Sequence, residues 1–331
     1  MRILCIASPK SGVAYHRLIM PLIYMMQNHK DDYLKITNHV TEEELEKRWD
    51  VLIVNRAFSL PAEMMERYKN KYGFKLIVDN DDYWHLDPHH VLYDHYIAND
   101  LPNKIEGYIQ IADICTATHE RLADAVWQIN KNVYILPNAL PYGEGQFADV
   151  KEPSDKVRLF WSGSDTHAQD ICILRNPIKR IYSTFGSKVS TVMAGYSERS
   201  KPVWDVMISA FTHGLKFDSR IYQFSDPETY MFPYCDSDIS LIPLLDTKFN
   251  AMKSNLKVLE TAAKRNPAIV SEVNPYLNMP LCYARTQQYW HKWVHELVND
   301  EAMRIEKGNE LFEFCNKHFN LKEVNQKRYE I

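Results

Sequence analysis

Short apolar runs punctuate the first half of the chain, and each closes on polar or turn-forming residues. They are Arg2-Ile3-Leu4-Cys5-Ile6-Ala7-Ser8, Asp50-Val51-Leu52-Ile53-Val54-Asn55-Arg56, and the runs at 74–80, 112–118 and 132–138. Longer stretches between them carry apolar residues at the spacing of one helix face. This alternation predicts parallel strands joined by crossover helices, an open α/β sheet whose ligand crevice lies at the polar strand ends. A second series follows: 157–163, a helix over about 170–185, then 188–195, 218–224, 237–244 and 267–273. After Tyr283 the pattern is helical, with Trp290, Val294, Leu297, Leu311 and Phe314 at helical spacing.

Residues 141–155 are rich in Pro, Gly and charge and separate the two series,. Two doubly wound domains are therefore expected. The first spans 1–148 and the second 149–310, with a helical tail at 311–331 that packs back on the first domain,. A chain of 331 residues, 45% hydrophobic, is long enough for two cores of ordinary size,. Only ten glycines are present, which argues against flexible or low-complexity segments,.

A formal net charge of −4 gives no global basic field to attract nucleic acid or an anionic membrane,. The six cysteines lie far apart, with neither CxxC nor zinc-ligand spacing, and read as reduced thiols of a cytoplasmic protein,. No apolar run approaches bilayer-spanning length, and the N-terminus lacks the pattern of a secretory signal, so no integral membrane segment is expected,.

The richest chemistry lies in Phe249-Asn250-Ala251-Met252-Lys253-Ser254-Asn255-Leu256-Lys257-Val258-Leu259-Glu260. It follows an apolar run and reads as a loop entering a helix. Steps of four and seven residues return to one helix face, so Lys253, Lys257 and Glu260 are expected side by side,. Two cations at a helix N-terminus suit a diphosphate, and Glu260 suits ribose hydroxyls. A solvated amphipathic helix with a Lys257–Glu260 pair explains the same spacing equally well.

This stretch resembles the donor-binding segment of family 4 and related retaining glycosyltransferases of GT-B fold (glycosyl transferases group 1). There a loop and helix precede an apolar strand, here Pro267-Ala268-Ile269-Val270-Ser271. The family places two glutamates eight positions apart. Glu260 matches the second, which binds ribose; the first, beside the donor sugar, is replaced by Met252. The resemblance implies two Rossmann-like domains facing a central cleft, with a helical C-terminal tail. It also implies transfer of a hexosyl or pentosyl group, with retention, from a nucleoside-diphosphate sugar, UDP- or GDP-linked, to a hydroxyl acceptor. No obligatory metal or other cofactor is implied.

Other segments fit the same family. Trp161-Ser162-Gly163-Ser164-Asp165-Thr166 resembles its interdomain strand and loop, with Gly163 and Ser164 placed for the pyrophosphate,. Ser11-Gly12 and Arg17 follow the first strand, where family members carry a glycine loop and an arginine; Gly12 and Arg17 are thus donor-side candidates, although a first-helix arginine is more often a surface ion-pair partner,.

Asp79-Asn80-Asp81-Asp82-Tyr83 gathers carboxylates that repel unless something relieves them,. Asp81 and Asp82 are candidate catalytic groups together with Lys253, and Asp81, Asp82, Tyr83 and His119 are expected on the acceptor side. A metal-dependent or inverting transferase using Asp81 or Asp82 as ligand or base is a competing reading. So is a nucleotide-sugar binding protein that has lost catalysis, given Met252. The set also resembles glycosyltransferases of bacteriophages and bacteria, some of which decorate hydroxymethylated pyrimidines in DNA. DNA is therefore an alternative acceptor, and a phage-encoded chain would act in the host cytoplasm. The acidic balance of the first half favours a different acceptor.

Overall fold

Two parallel six-stranded sheets organise the computed structural model, which describes residues 1–331. The chain divides into two compact units. The first comprises Met1–Ala139 with Met252–Ser254 and Leu321–Ile331; the second comprises Leu140–Ala251 and Asn255–Asn320. The first unit therefore ends at Ala139 rather than 148. It takes its tail from Leu321 onward rather than from 311, because the preceding helix Glu301–His318 belongs to the second unit. No helix is long and apolar enough to cross a membrane.

In the first unit the strands are β1 (Arg2–Ile6), β2 (Tyr33–Thr37), β3 (Val51–Asn55), β4 (Lys75–Asn80), β5 (Ile114–Ala117) and β6 (Val133–Ile135), in spatial order β2-β1-β3-β4-β5-β6. Successive strand side chains point to opposite faces, and here both faces are covered. Leu4, Leu52, Leu76 and Cys115 pack one way with Trp84 and Tyr108, whereas Ile3, Cys5 and Ile53 pack the other way with Leu18, Leu22 and Met25. Burial on both sides is why β1, β3 and β4 read as continuous apolar runs. The edge strand β2 is half exposed and carries Lys35 and Thr37, so its pattern is diluted and sequence reading passes over it.

The helical run 12–26 after β1 contains a π-helical stretch, Tyr15–Ile19, which carries His16 and Arg17 inward,. Arg17 is 2% exposed. Its Nε and one terminal nitrogen donate to the two Asp79 oxygens at 3.0 and 2.6 Å, and the other terminal nitrogen donates to the Leu136 carbonyl and Asn138 Oδ1 at 2.8 and 3.0 Å. Burial alone would raise the Asp79 carboxyl; Arg17 and the Thr116 hydroxyl overcome it and hold Asp79 below the ordinary aspartate value,. Arg17 is thus a structural cation of the first sheet, not the donor-side group expected from its position. The last helix, Leu321–Glu330, packs in this unit too: Asn325 donates to the Pro21 carbonyl at 2.9 Å and Tyr329 stacks on His29.

The second unit holds β7 (Val157–Ser162), β8 (Val189–Tyr196), β9 (Asp218–Gln223), β10 (Ile239–Ile242), β11 (Ala268–Ser271) and β12 (Cys282–Ala284), in spatial order β12-β11-β10-β7-β8-β9. Its core is built on Leu159, Trp161, Ile178, Trp204 and Trp290. The three-residue β12 lies where the sequence turns helical and is too short to leave a pattern.

Arg17→Met leaves Asp79 charged and buried without its partner, and removing one member of such a pair costs about 3–5 kcal/mol. Urea denaturation is expected to show a loss of that size. The double variant Arg17→Met/Asp79→Leu is expected to recover part of it. A loss under 1 kcal/mol in the single variant would mean that the pair does not support the sheet.

Candidate functional site

In an open α/β sheet the ligand crevice forms where the strand order reverses. The second sheet reverses between β7 and β10, since the chain runs β7, β8, β9 to one side and β10, β11, β12 to the other. At the end of β7, backbone crowding dictates glycine. A Cβ on Gly163 would stand 2.8 Å from Trp161 Cζ2 and 3.1 Å from Lys257 Nζ; one on Gly195, at φ +106°, would stand 2.0 Å from the Gly163 carbonyl oxygen. The Gly163 amide donates to the Ala194 carbonyl at 3.1 Å, closing β7 against β8. Lys257 lies over the Trp161 ring at 5.4 Å, so its ammonium sits at the mouth of this glycine pair,. Ser164 is exposed beside it, its hydroxyl 2.7 Å from that of Thr166.

The donor-segment helix runs Leu256–Ala263. It starts after Lys253, so the expected face of Lys253, Lys257 and Glu260 does not form. Lys253 and Ser254 lie in the short segment that belongs to the first unit, whereas Lys257 and Glu260 belong to the second. Glu260 is buried, accepting a 2.5 Å hydrogen bond from the Tyr234 hydroxyl. Burial pushes its carboxyl up to about 7, against the opposing pull of Tyr234 and Lys257,.

Asp170 ties the two sides of the reversal together. It is buried after β7, where its Oδ2 meets His167 Nδ1 at 2.8 Å, and its Oδ1 accepts from the Leu245 amide and Asn250 Nδ2, after β10, at 2.9 and 3.3 Å. Burial works against its charge, but His167 and the Leu245 amide hold it below the ordinary value. Sequence reading missed this role. The His167 to Asp170 spacing was its one local sign, while its partners at 245 and 250 are remote in the chain. Tyr234, the partner of Glu260, left no sign at all.

In the first unit the acidic run leaves β4. Asp81 is buried, accepting from Asn55 Nδ2 at 3.1 Å with Arg56 Nε at 3.2 Å. Burial raises its carboxyl; Arg56 opposes this, and Asp82 and Asp79 add to it. Asn55 and Arg56, at the end of β3, were not singled out in the sequence. Asp82 is half-buried with Lys253 Nζ at 3.8 Å, and Asn138 Nδ2 donates to Ser254 Oγ at 2.8 Å.

His119 Nε2 is 3.0 Å from the Met252 carbonyl, which can only accept, so this nitrogen carries the proton,. Its Nδ1 accepts from the Leu122 amide at the helix start. Both ring nitrogens are occupied and burial lowers the imidazole's pKa, so His119 positions Met252 rather than serving as a base. Tyr83 is half-buried with its ring 5.1 Å from that of Trp84. Gly12 is exposed, and an added Cβ there would meet open space, so no close approach requires glycine.

Comparison with family models and with curated proteins finds no match. Solved structures do match along nearly the whole chain. HepE of Anabaena in complex with UDP and glucose aligns at TM-score 0.69 and 9% identity, covering 99% of this chain and 98% of that one. An alpha-glucosyltransferase in complex with UDP and a 13-mer DNA containing a central A:G mismatch aligns at 0.69 and 13% identity, covering 100% and 98%. Sucrose-phosphate synthase from Thermosynechococcus elongatus aligns at 0.69 and 10% identity, again covering 100% and 98%. With the two parallel sheets and the helical C-terminal tail, these likenesses give the chain the GT-B fold.

Glu260 makes stability depend on pH. Its carboxyl ionises near 4.5 when exposed and at about 7 in the fold, so the folded state binds the extra proton between these values. Stability is therefore expected to fall as pH rises through this window, by about 3 kcal/mol. Urea midpoints of the protein and of Glu260→Gln at pH 5 and 7.5 check this: the variant should lose most of the dependence, and parallel curves would refute it.

Proposed function

We propose that the chain is a glycosyltransferase that moves a sugar from a nucleoside-diphosphate sugar to a hydroxyl acceptor, in the manner of the family 4 enzymes. The observation that carries this reading is the Gly163–Gly195 pair with Lys257 at its mouth, at the reversal of the second sheet. The two glycines let the ends of β7 and β8 close on each other, and a lysine held on the Trp161 face places a cation beside that strand end, where a phosphate is to be bound,. Ser164 adds a hydroxyl donor at the same strand end. Glu260, kept in place by Tyr234, is assigned to the ribose hydroxyls. In the first unit Lys253 is assigned as a cation of its own site, beside Asp82, and Asp81, Asp82 and Tyr83 to the acceptor.

In the reaction, the bond from the sugar anomeric carbon to the diphosphate oxygen breaks, and a bond from that carbon to the acceptor oxygen forms. The charge left on the diphosphate is stabilised by Lys257. The acceptor proton passes to the departing phosphate oxygen, which permits attack from the face the nucleotide leaves and so retention of configuration. No protein nucleophile is required. UDP is the favoured nucleotide, since structural neighbours bind it. A cytoplasmic site of action accompanies this reading.

DNA is the second reading for the acceptor. It is favoured by the neighbour that binds both UDP and a DNA duplex. Hydroxymethylated pyrimidine would then supply the hydroxyl.

UDP-glucose and other nucleotide sugars are expected to raise the melting temperature, with slow release of free nucleotide in the absence of acceptor. Lys257→Ala is expected to lower kcat/KM for donor hydrolysis by about 100-fold, the usual cost of removing one preorganised charge-stabilising group. A flat thermal response to every UDP-, GDP-, ADP- and CMP-sugar would overturn the reading. Salt-sensitive binding to hydroxymethylated duplex, absent with the unmodified duplex, would select DNA as acceptor.

A further inference from the structure

The first unit encloses a cavity of about 220 Å³ for which the proposed reaction has no use. It lies on the sheet face that carries the helical run 12–26. Its wall is formed by Ile3, Ile53 and Ile77 from three neighbouring strands, by Leu22 and Met25, and by Arg328 from the last helix. An apolar cavity of about 150 Å³ takes up benzene. This one therefore has room for a slightly larger body, such as a substituted ring or a short acyl chain.

Charge distinguishes it from a mere packing defect. Arg17, Asp79 and Arg328 all lie on the wall, so two guanidiniums face one carboxylate. That carboxylate is fully engaged, with Arg17 on both oxygens and Thr116 on one. Arg328 is half-buried, and its hydrogen bond goes to the neutral Asn325 side chain. Burial and the repulsion of Arg17 both work against its charge, and Asp79 offsets them only in part. The other charged side chains on the wall, Lys75 and Glu330, are exposed and opposite in sign, and the amino group of Met1 is paired with Asp32 at 2.6 Å. The Arg328 guanidinium thus lies beside an apolar chamber with its hydrogen bond on a neutral side chain and no carboxylate in contact with it, a condition that an anionic head group relieves,.

We infer that this cavity binds a small amphipathic carboxylate, its alkyl or aryl body among Ile3, Ile53, Ile77 and Leu22 and its head on Arg328. The site is distinct from the donor site, so its occupancy and the donor response are separable.

The test is calorimetry and thermal shift on the full chain with octanoate, octanol, octylamine and acetate. Octanoate is expected to bind and raise the melting temperature, octanol to bind at least tenfold more weakly, and octylamine and acetate to have no effect. Arg328→Gln should bring octanoate down to the level of octanol, and Arg328→Lys should retain most of the binding. Ile77→Phe, which fills the chamber, should abolish it. In all three variants the shift produced by UDP-glucose should persist, or, if the chain takes no nucleotide sugar, the octanoate results stand alone. Octanoate that fails to bind overturns the inference. So does equal binding of octanol or octylamine, or binding that survives both Arg328→Gln and Ile77→Phe.

Discussion

The guanidinium of Arg17 holds the working edge of the first sheet in one piece. Its donors reach Asp79 at the end of β4 and the Leu136 carbonyl and Asn138 just beyond β6. Asp79 in turn accepts from Thr116 on β5 and from Asn55 on β3. Four strand ends and the first helical run are therefore fixed by one buried charge pair. Burying two charges is costly, and only near-complete hydrogen bonding makes it tolerable. That condition is met here, so the geometry of the acidic run follows from it. Asn138, positioned by Arg17, passes the order on to Ser254.

The second unit has a buried ion pair of its own, Arg158 with Asp236 at 3.0 Å, but it lies at the start of β7 and not at the strand ends. The ends of β7 and β8 approach so closely that neither Gly163 nor Gly195 tolerates a side chain, and Lys257 lies beside the contact. Across the reversal, Asp170 plays the connecting part that Arg17 plays in the first unit, joining the segment after β7 to the loop after β10. In both units, loops far apart in sequence are fixed by one buried polar side chain.

Much of the architecture is legible in the chain because strands covered on both faces need continuous apolar runs, as in β1, β3 and β4. Strands β2 and β12 escape because one is a diluted edge and the other only three residues long. The site is less legible. Helical periodicity places Lys253 beside Lys257 only if the helix has already begun, and it begins at Leu256. Arg17 reads as a donor-side group or a surface cation because nothing in its neighbourhood reveals the π-helical stretch that turns it inward. Gly163 was legible, since a glycine closing a strand run already signals close approach. Asp170 and Tyr234 were not, because their partners are set by tertiary packing alone.

The acidic run after β4 looks electrostatically unfavourable, yet each carboxylate has a cation. Asp79 has Arg17 at 2.6 Å, Asp81 has Arg56 at 3.2 Å and Asp82 has Lys253 at 3.8 Å. Burial decreases in the same order as the distances lengthen. Two charges in good contact within a low-dielectric interior cannot exchange partners without a large penalty, whereas a partly exposed pair at nearly 4 Å is worth about 1 kcal/mol or less. Asp79 is therefore the most firmly held of the three carboxylates and Asp82 the least. The order within the acidic run is thus drawn by burial and not by residue type.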